Sequence, residues 1–156
     1  MDEAFYNKKF STLTSDLKGA ETWDLLSLTY AAFLSSKWSD VFHLTMGTKN
    51  LELLYLRALA YLHINRTDLS QKTVEEMTTI DSEGGLTIMA STILSLSSSL
   101  DPSGPLQKLQ ELGDSIQYTP KLCNLMGLTL LKQGEKAKAI KVFKKGIEES
   151  RVDTAQ

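Results

Sequence analysis

Apolar residues recur every three or four positions along almost the whole chain, which is the spacing of α-helices with a buried face. In residues 51–64 the pattern includes a second apolar set, Tyr55, Leu59 and Leu62, on the neighbouring face. A helix that is apolar on two faces has to be covered from two sides. Residues 68–79 are apolar on one face only, and Asp68 is their predicted N-cap. The two segments together predict a helix pair.

The same helix pair recurs further along the chain. Residues 121–132 and 136–149 show the same two patterns, with a helix-ending turn at Gly134 between them. Laying this pair over the earlier one aligns Phe143 with Val74, and the offset is 69 residues throughout. That offset is about two periods of a 34-residue repeat, so the pattern predicts a further pair in between.

The full pattern predicts nine helices and no strand. The chain is accordingly predicted to be a single helical repeat domain over residues 1–156, which is an ordinary length for one domain. It is predicted to consist of an N-terminal helix at 3–17 and helix pairs at about 22–48, 51–80, 85–117 and 120–150.

The last pair resembles the tetratricopeptide repeat. Gly127 and Ala139 are small where the two helices are expected to cross, and Phe143 is expected to fill the space towards the neighbouring pair. The residues predicted to point inward from the second helix are Ala139, Ile140, Val142, Phe143 and Ile147. The resemblance implies an all-α fold in which tetratricopeptide-like pairs stack in a right-handed superhelix.

Composition restricts the chemistry. A formal charge of −2 argues against a nucleic-acid binder, which usually has a clear basic excess. One cysteine and two histidines leave little material for a metal site or for acid–base catalysis, so no catalytic, cofactor or metal residues are predicted and the chain is not expected to be an enzyme. The N-terminus does not have the pattern of a secretory signal, and a cytoplasmic protein is expected.

Three stretches are similar to the coatomer epsilon subunit family of the COPI vesicle coat. In residues 3–11 an aromatic pair precedes a basic-aromatic turn, as in the opening helix of the family. Residues 30–38 lead into a second helix of only two turns, and residues 59–77 contain the Arg-x-Asp-Leu pattern that begins at Arg66. Residues 118–122 resemble the start of the next pair in the family.

This resemblance implies a non-enzymatic coat subunit that binds the C-terminal region of the alpha coatomer subunit. It implies support of Golgi-to-endoplasmic-reticulum transport, with contact to Golgi and vesicle membranes only through the coat. A different tetratricopeptide scaffold or adaptor, of mitochondrial fission type or chaperone-linked, is the alternative, and it would bind an extended peptide. Against a chaperone clamp, only Asn124 among the inward polar sites has the required chemistry. The sequence leaves the oligomeric state undecided.

First helices of stacked pairs line the concave side of such an array, so their second apolar face is the predicted partner-binding groove. The predicted groove residues are Trp23, Leu26, Tyr30, Phe33, Tyr55, Leu59, Leu62, Asn124, Leu128 and Leu131. Burial between repeats is the alternative for the aromatic residues, although a tyrosine hydroxyl tolerates a wet groove. For Leu128 and Leu131, burial is expected unless the C-terminal edge of the array is open.

Overall fold

The computed structural model describes residues 22–153, with side chains from residue 24 to residue 149. Within that span the chain forms eight α-helices and no β-strand, which confirms the all-α class. They are α1 (Thr22–Leu34), α2 (Trp38–Leu44), α3 (Leu51–His63), α4 (Thr67–Ile80), α5 (Gly85–Ser97), α6 (Ser103–Ile116), α7 (Pro120–Lys132) and α8 (Lys136–Asp153). The predicted helix at 3–17 lies outside the described residues.

The chain divides into two compact units, Met1–Ile80 and Asp81–Gln156. In the first unit α1 packs on α2 and α3 packs on α4, while α3 also contacts both α1 and α2. The second unit repeats this arrangement with α5–α6 and α7–α8, and α7 contacts both α5 and α6. In each unit, therefore, the first helix of the second pair covers both helices of the first pair. The right-handed superhelix and the single domain remain predictions.

Three of the four turns within pairs have the same backbone geometry. Ser36, Asn65 and Gly134 follow α1, α3 and α7 with φ of 55°, 58° and 84°, which is the left-handed region. The N–H of each donates to a carbonyl three residues back, and the next N–H donates to a carbonyl five residues back, as in Lys37 to Ala32 at 2.9 Å. This is a common way to satisfy the last carbonyls of a helix.

The start of α4 differs from the prediction that Asp68 is its N-cap. The helix begins at Thr67, and the carbonyl of Arg66 accepts from the N–H groups of Leu69 and Ser70 at 3.2 and 3.1 Å. The carboxylate of Asp68 instead accepts two hydrogen bonds from the Arg66 guanidinium, at 2.9 and 2.8 Å. The Asp68 carboxylate, predicted to cap the helix, is therefore bound by the side chain of Arg66 instead.

The first unit has its core around α1, α2 and α3. Leu28, Ala32 and Val41 are buried together with Ala60 of α3. Helix α3 has six buried residues and contacts helices on two sides, as its two apolar faces predict. Arg57 of the same helix donates to the carbonyl of Thr45 at 3.1 Å and pairs with Glu76 of α4.

The second unit has its core between α5, α6 and the α7–α8 pair. The Phe143 ring occupies the place that a Cβ on Gly127 would take, and Ala139 is fully buried. Gly127 and Ala139 are thus small where the two helices cross, and the Phe143 ring packs both against Gly127 and against the core shared with α5 and α6. The prediction of five inward residues on α8 is wrong for two of them, because Ile140 and Ile147 are 54% and 55% exposed.

Candidate partner-binding surface

Helix α1 presents one tyrosine on its outer face. Tyr30 is 53% exposed, and Leu34, one turn further along, is also exposed. Leu26 is half-buried beside this face. The side chain of Trp23 lies outside the described residues. Tyr30 and Leu34 therefore form the accessible apolar part of α1, with Leu26 at its border.

Phe33 belongs to an aromatic cluster inside the first unit. Its ring meets Trp38 edge-on at a centroid distance of 5.4 Å and His63 edge-on at 5.6 Å. His63 in turn stacks on Trp38 at 5.0 Å. A second stacked pair, Phe42 on Tyr61 at 4.5 Å, joins α2 to α3. The half-buried Phe33 ring thus contacts side chains of both α2 and α3.

Helix α3 exposes less of its predicted groove face. Tyr55 is 9% exposed, while Leu59 and Leu62 are half-buried. Burial of the Tyr55 phenol raises its pKa, because the charged form loses water. A partner that contacts this face meets mainly Leu59 and Leu62, and it reaches Tyr55 only at a small patch.

Helix α7 presents its predicted groove residues to solvent. Asn124 is exposed, and Leu128 and Leu131 are 48% and 43% exposed. Thr119 caps the helix by accepting from the N–H of Leu122 at 3.3 Å, and Pro120 occupies the first turn. The helix therefore begins at Pro120. Asn124 and Leu128 are four residues apart, which is about one helical turn, so they lie on the same face of the helix.

Three exposed apolar residues were not predicted to be exposed, because Leu34 is absent from the predicted groove and Ile140 and Ile147 are predicted to point inward. A sequence signal exists for the first, because Leu34 lies four residues after Tyr30 and hence on the same helix face. Ile140 and Ile147 fit a helical apolar stripe equally well whether it faces inward or outward. Only the identity of the neighbouring helices decides between the two.

The polar groups with shifted pKa values support structure. The Tyr118 hydroxyl donates to Asp114 at 2.6 Å, which raises the pKa of Tyr118, and Lys145 lies 3.2 Å from the centre of its ring.

Among the side chains that the structure describes, no three metal-ligating groups come together. In that same part of the chain, no helix has the length and apolar character that a membrane span needs.

The surfaces described so far are apolar patches on the first helices of helix pairs, which is the form of a protein-binding scaffold. The family model for the coatomer epsilon subunit matches residues 11–155. The chain belongs to the coatomer epsilon subunit family. A search of individual proteins of curated function found no match to this chain. Family membership supports a role as a subunit of the COPI coat, with protein–protein association inside the coat and peripheral association with the Golgi. This is a family of structural coat subunits and not of enzymes.

Proposed function

We propose that this epsilon-family chain binds the C-terminal region of the alpha coatomer subunit and so supports Golgi-to-endoplasmic-reticulum transport. The observation that carries the proposal is the family match over residues 11–155, together with exposed apolar residues on first helices. Tyr30 and Leu128 are each about half exposed at corresponding positions of their helices. The family match also favours this proposal over a chaperone-linked or mitochondrial adaptor.

Tyr30 is the best single anchor for such contact. Aromatic side chains with a polar end are enriched among residues that dominate binding energy, because they bury much area and keep a hydrogen-bonding group. Tyr30 is 53% exposed, so it has area left to bury. Leu34 and Leu26 would complete the contact on α1, and Leu59 with Leu62 would do so on α3. Asn124, Leu128 and Leu131 provide the corresponding positions on α7.

The buried aromatic residues have a supporting role in this proposal. Phe33 packs on Trp38 and His63, so it holds α1 against α2 and α3. Tyr55 has little area to offer and keeps α3 in place. Their substitution would weaken partner binding only by loosening the unit, which a stability measurement would detect.

The test is titration of the full chain with a purified C-terminal region of the alpha subunit by calorimetry. Tyr30→Ser should weaken binding by roughly tenfold or more, as expected for loss of a central aromatic anchor. Met46→Ser is the matched control, because Met46 is also exposed and apolar in the first unit but lies outside the proposed surface.

Two results would contradict the proposal in different ways. Unchanged affinity of Tyr30→Ser, with a stable fold, would remove the α1 surface and leave the partner in place. No binding of the alpha region by the unmodified chain would remove the partner itself. A loss of affinity for Met46→Ser as large as that for Tyr30→Ser would show that the contact is not specific to α1.

A further inference from the structure

Helix α5 ends without the turn that closes the other first helices of the pairs. Those helices are followed by a left-handed residue, namely Ser36, Asn65 or Gly134. No residue between α5 and α6 has a positive φ, and the C-cap of α5, Ser98, is extended with φ of −120° and ψ of −179°. The last turn of α5 also has no basic residue. The final carbonyl groups of α5, where the negative end of the helix dipole lies, therefore need a donor from another element.

Lys132, the last residue of α7, supplies that donor. Its ammonium donates to the carbonyl of Ser95, in the last turn of α5, and to the carbonyl of Ser98. A lysine at a helix C-terminus stabilises it through such hydrogen bonds and through the helix dipole. The next residue, Gln133, donates from Nε2 to the Ser103 hydroxyl at 3.2 Å, at the start of α6. Two consecutive side chains at the end of α7 thus hold the two ends of the α5–α6 loop.

The other hydrogen bonds of this loop, residues 98–102, are local among the described residues. The Ser98 hydroxyl donates to the carbonyl of Leu94 at 2.7 Å, and the Asp101 carboxylate accepts from the N–H of Ser103 at 3.0 Å. Leu100 is exposed within the loop. A segment with few contacts to distant parts of the chain opens locally at a low free energy. The contacts from α7 therefore decide how firmly the loop is closed.

Both carbonyl contacts depend on the ammonium of Lys132. An ammonium has three N–H donors and a full positive charge, whereas an acetylated lysine is neutral and has a single amide N–H. Hydrogen bonds from a charged donor contribute more than those from a neutral one. We propose that Lys132 is a latch for the α5–α6 loop and that acetylation of its side chain opens the loop. Lys132 is exposed, so an acyl donor can reach it.

The acyl donor is an acetyl thioester. The ammonium first loses one proton to water, and Nζ then attacks the carbonyl carbon of the thioester. The N–C bond forms, the C–S bond breaks, and the leaving thiolate takes up the second proton, so the products are an acetamide and a thiol. The proposal goes beyond alpha-subunit binding, because neither Lys132 nor the loop belongs to the surface proposed for that partner.

The test compares the full chain with and without acetyl-lysine in place of Lys132. Hydrogen–deuterium exchange measured by mass spectrometry should be faster by roughly tenfold or more over residues 95–103 of the acetylated chain, because hydrogen bonds from a charged donor are lost. Helices α7 and α8 should exchange as in the unmodified chain. Lys132→Arg should keep the loop closed, because a guanidinium retains the charge and can donate to both carbonyls.

Acetyl-lysine in place of Lys141 is the matched control. Lys141 is also exposed, on α8, and forms no hydrogen bond or ion pair with another described residue. Its acetylation should leave exchange in the loop unchanged, and circular dichroism should show the same helix content in all forms.

Three results would overturn the proposal. Unchanged loop exchange in the chain acetylated at Lys132 would show that the ammonium does not hold the loop. Equally faster exchange throughout α7 and α8 would show that Lys132 supports the whole unit and not the loop. Opening of the loop in Lys132→Arg, as large as in the acetylated chain, would show that the charge is not the cause. Tyr30→Ser should leave loop exchange unchanged, so failure here is separable from failure of the alpha-subunit proposal.

Discussion

At the scale of single residues, the repeated turn shows which positions are strained. Ser36 and Asn65 occupy the left-handed region with φ of 55° and 58°, where Gly134 serves in the last pair. A side chain with a Cβ costs roughly 1–2 kcal/mol in that region, and asparagine tolerates it better than serine does. The serine therefore stores strain that a glycine would release.

Ser36→Gly should raise the free energy of unfolding by about 1 kcal/mol, less the extra entropy of the unfolded glycine chain. Urea unfolding followed by circular dichroism measures this change. Asn65→Gly is the control at the equivalent turn, and its gain should be smaller because asparagine already suits the conformation. A loss of stability at Ser36, or an equal gain at both positions, would contradict this account.

The Arg66–Asp68 pair gives a pH dependence with a defined sign. Hydrogen bonds from Arg66 lower the pKa of the Asp68 carboxyl from 3.8 to about 2. Because the folded pKa lies below the unfolded one, the contribution to stability is complete above the unfolded value and is lost as the pH falls towards 2. The pair is exposed, so that contribution is small.

NMR titration of the Asp68 carboxyl should give a midpoint near 2, as its lowered pKa requires. In Arg66→Gln the midpoint should move up towards 3.8, because the guanidinium is the first cause of the shift. Asp101 is the control, since Ser103 and not an arginine lowers its pKa. Movement of both midpoints, or of neither, would contradict the assignment.

At the scale of helices, the crossing of α7 and α8 depends on one missing Cβ. The Phe143 ring fills the place that a Cβ on Gly127 would take. Gly127→Ala should destabilise the chain by about 1–3 kcal/mol through overpacking, against the gain in helix propensity. Phe143→Leu frees that space, so the two changes together should cost about 1 kcal/mol less than the sum of each alone.

Thermal and urea unfolding of the four-member cycle measure that coupling. Gly85→Ala in α5 is the matched control, because an added Cβ there meets only the Leu112 side chain, at 3.7 Å or more. It should stabilise the chain by up to about 1 kcal/mol through helix propensity. Strictly additive costs for Gly127→Ala and Phe143→Leu would show that the ring does not set the crossing distance.

Helix positions could be predicted from the sequence, and helix starts less well. Apolar periodicity located all eight described helices, because buried faces repeat every 3.6 residues. Helix α6 starts at Ser103, earlier than its apolar pattern suggests, because the Asp101 carboxylate accepts from the N–H of Ser103 at 3.0 Å. Pro105 is tolerated in that first turn, where its missing N–H would have no partner in the helix. Such local hydrogen bonds leave no trace in hydrophobic spacing.

At the scale of the whole molecule, the exposure of the candidate site could be predicted only in part. Tyr30 and Tyr55 are both tyrosines on the predicted groove face of a first helix, yet they are 53% and 9% exposed. The difference depends on how many helices surround α1 and α3, and spacing within one helix does not contain that information. The sequence predicts burial of Leu128 and Leu131 unless the edge beside α7 is open, and the two side chains are 48% and 43% exposed.

Charge is unevenly distributed along the chain, so salt dependence tests which part of it carries the alpha-subunit contact. Residues 121–152 contain eight basic and three acidic side chains, whereas residues 1–120 contain nine basic and fifteen acidic ones. Raising the salt concentration from about 50 to 500 mM should change the affinity for the alpha region by less than about threefold if Tyr30 is its main anchor, since apolar burial depends little on screening. Calorimetry at both salt concentrations measures this change. A loss of roughly tenfold or more would mean that exposed charges, and not the apolar surface of α1, dominate the contact.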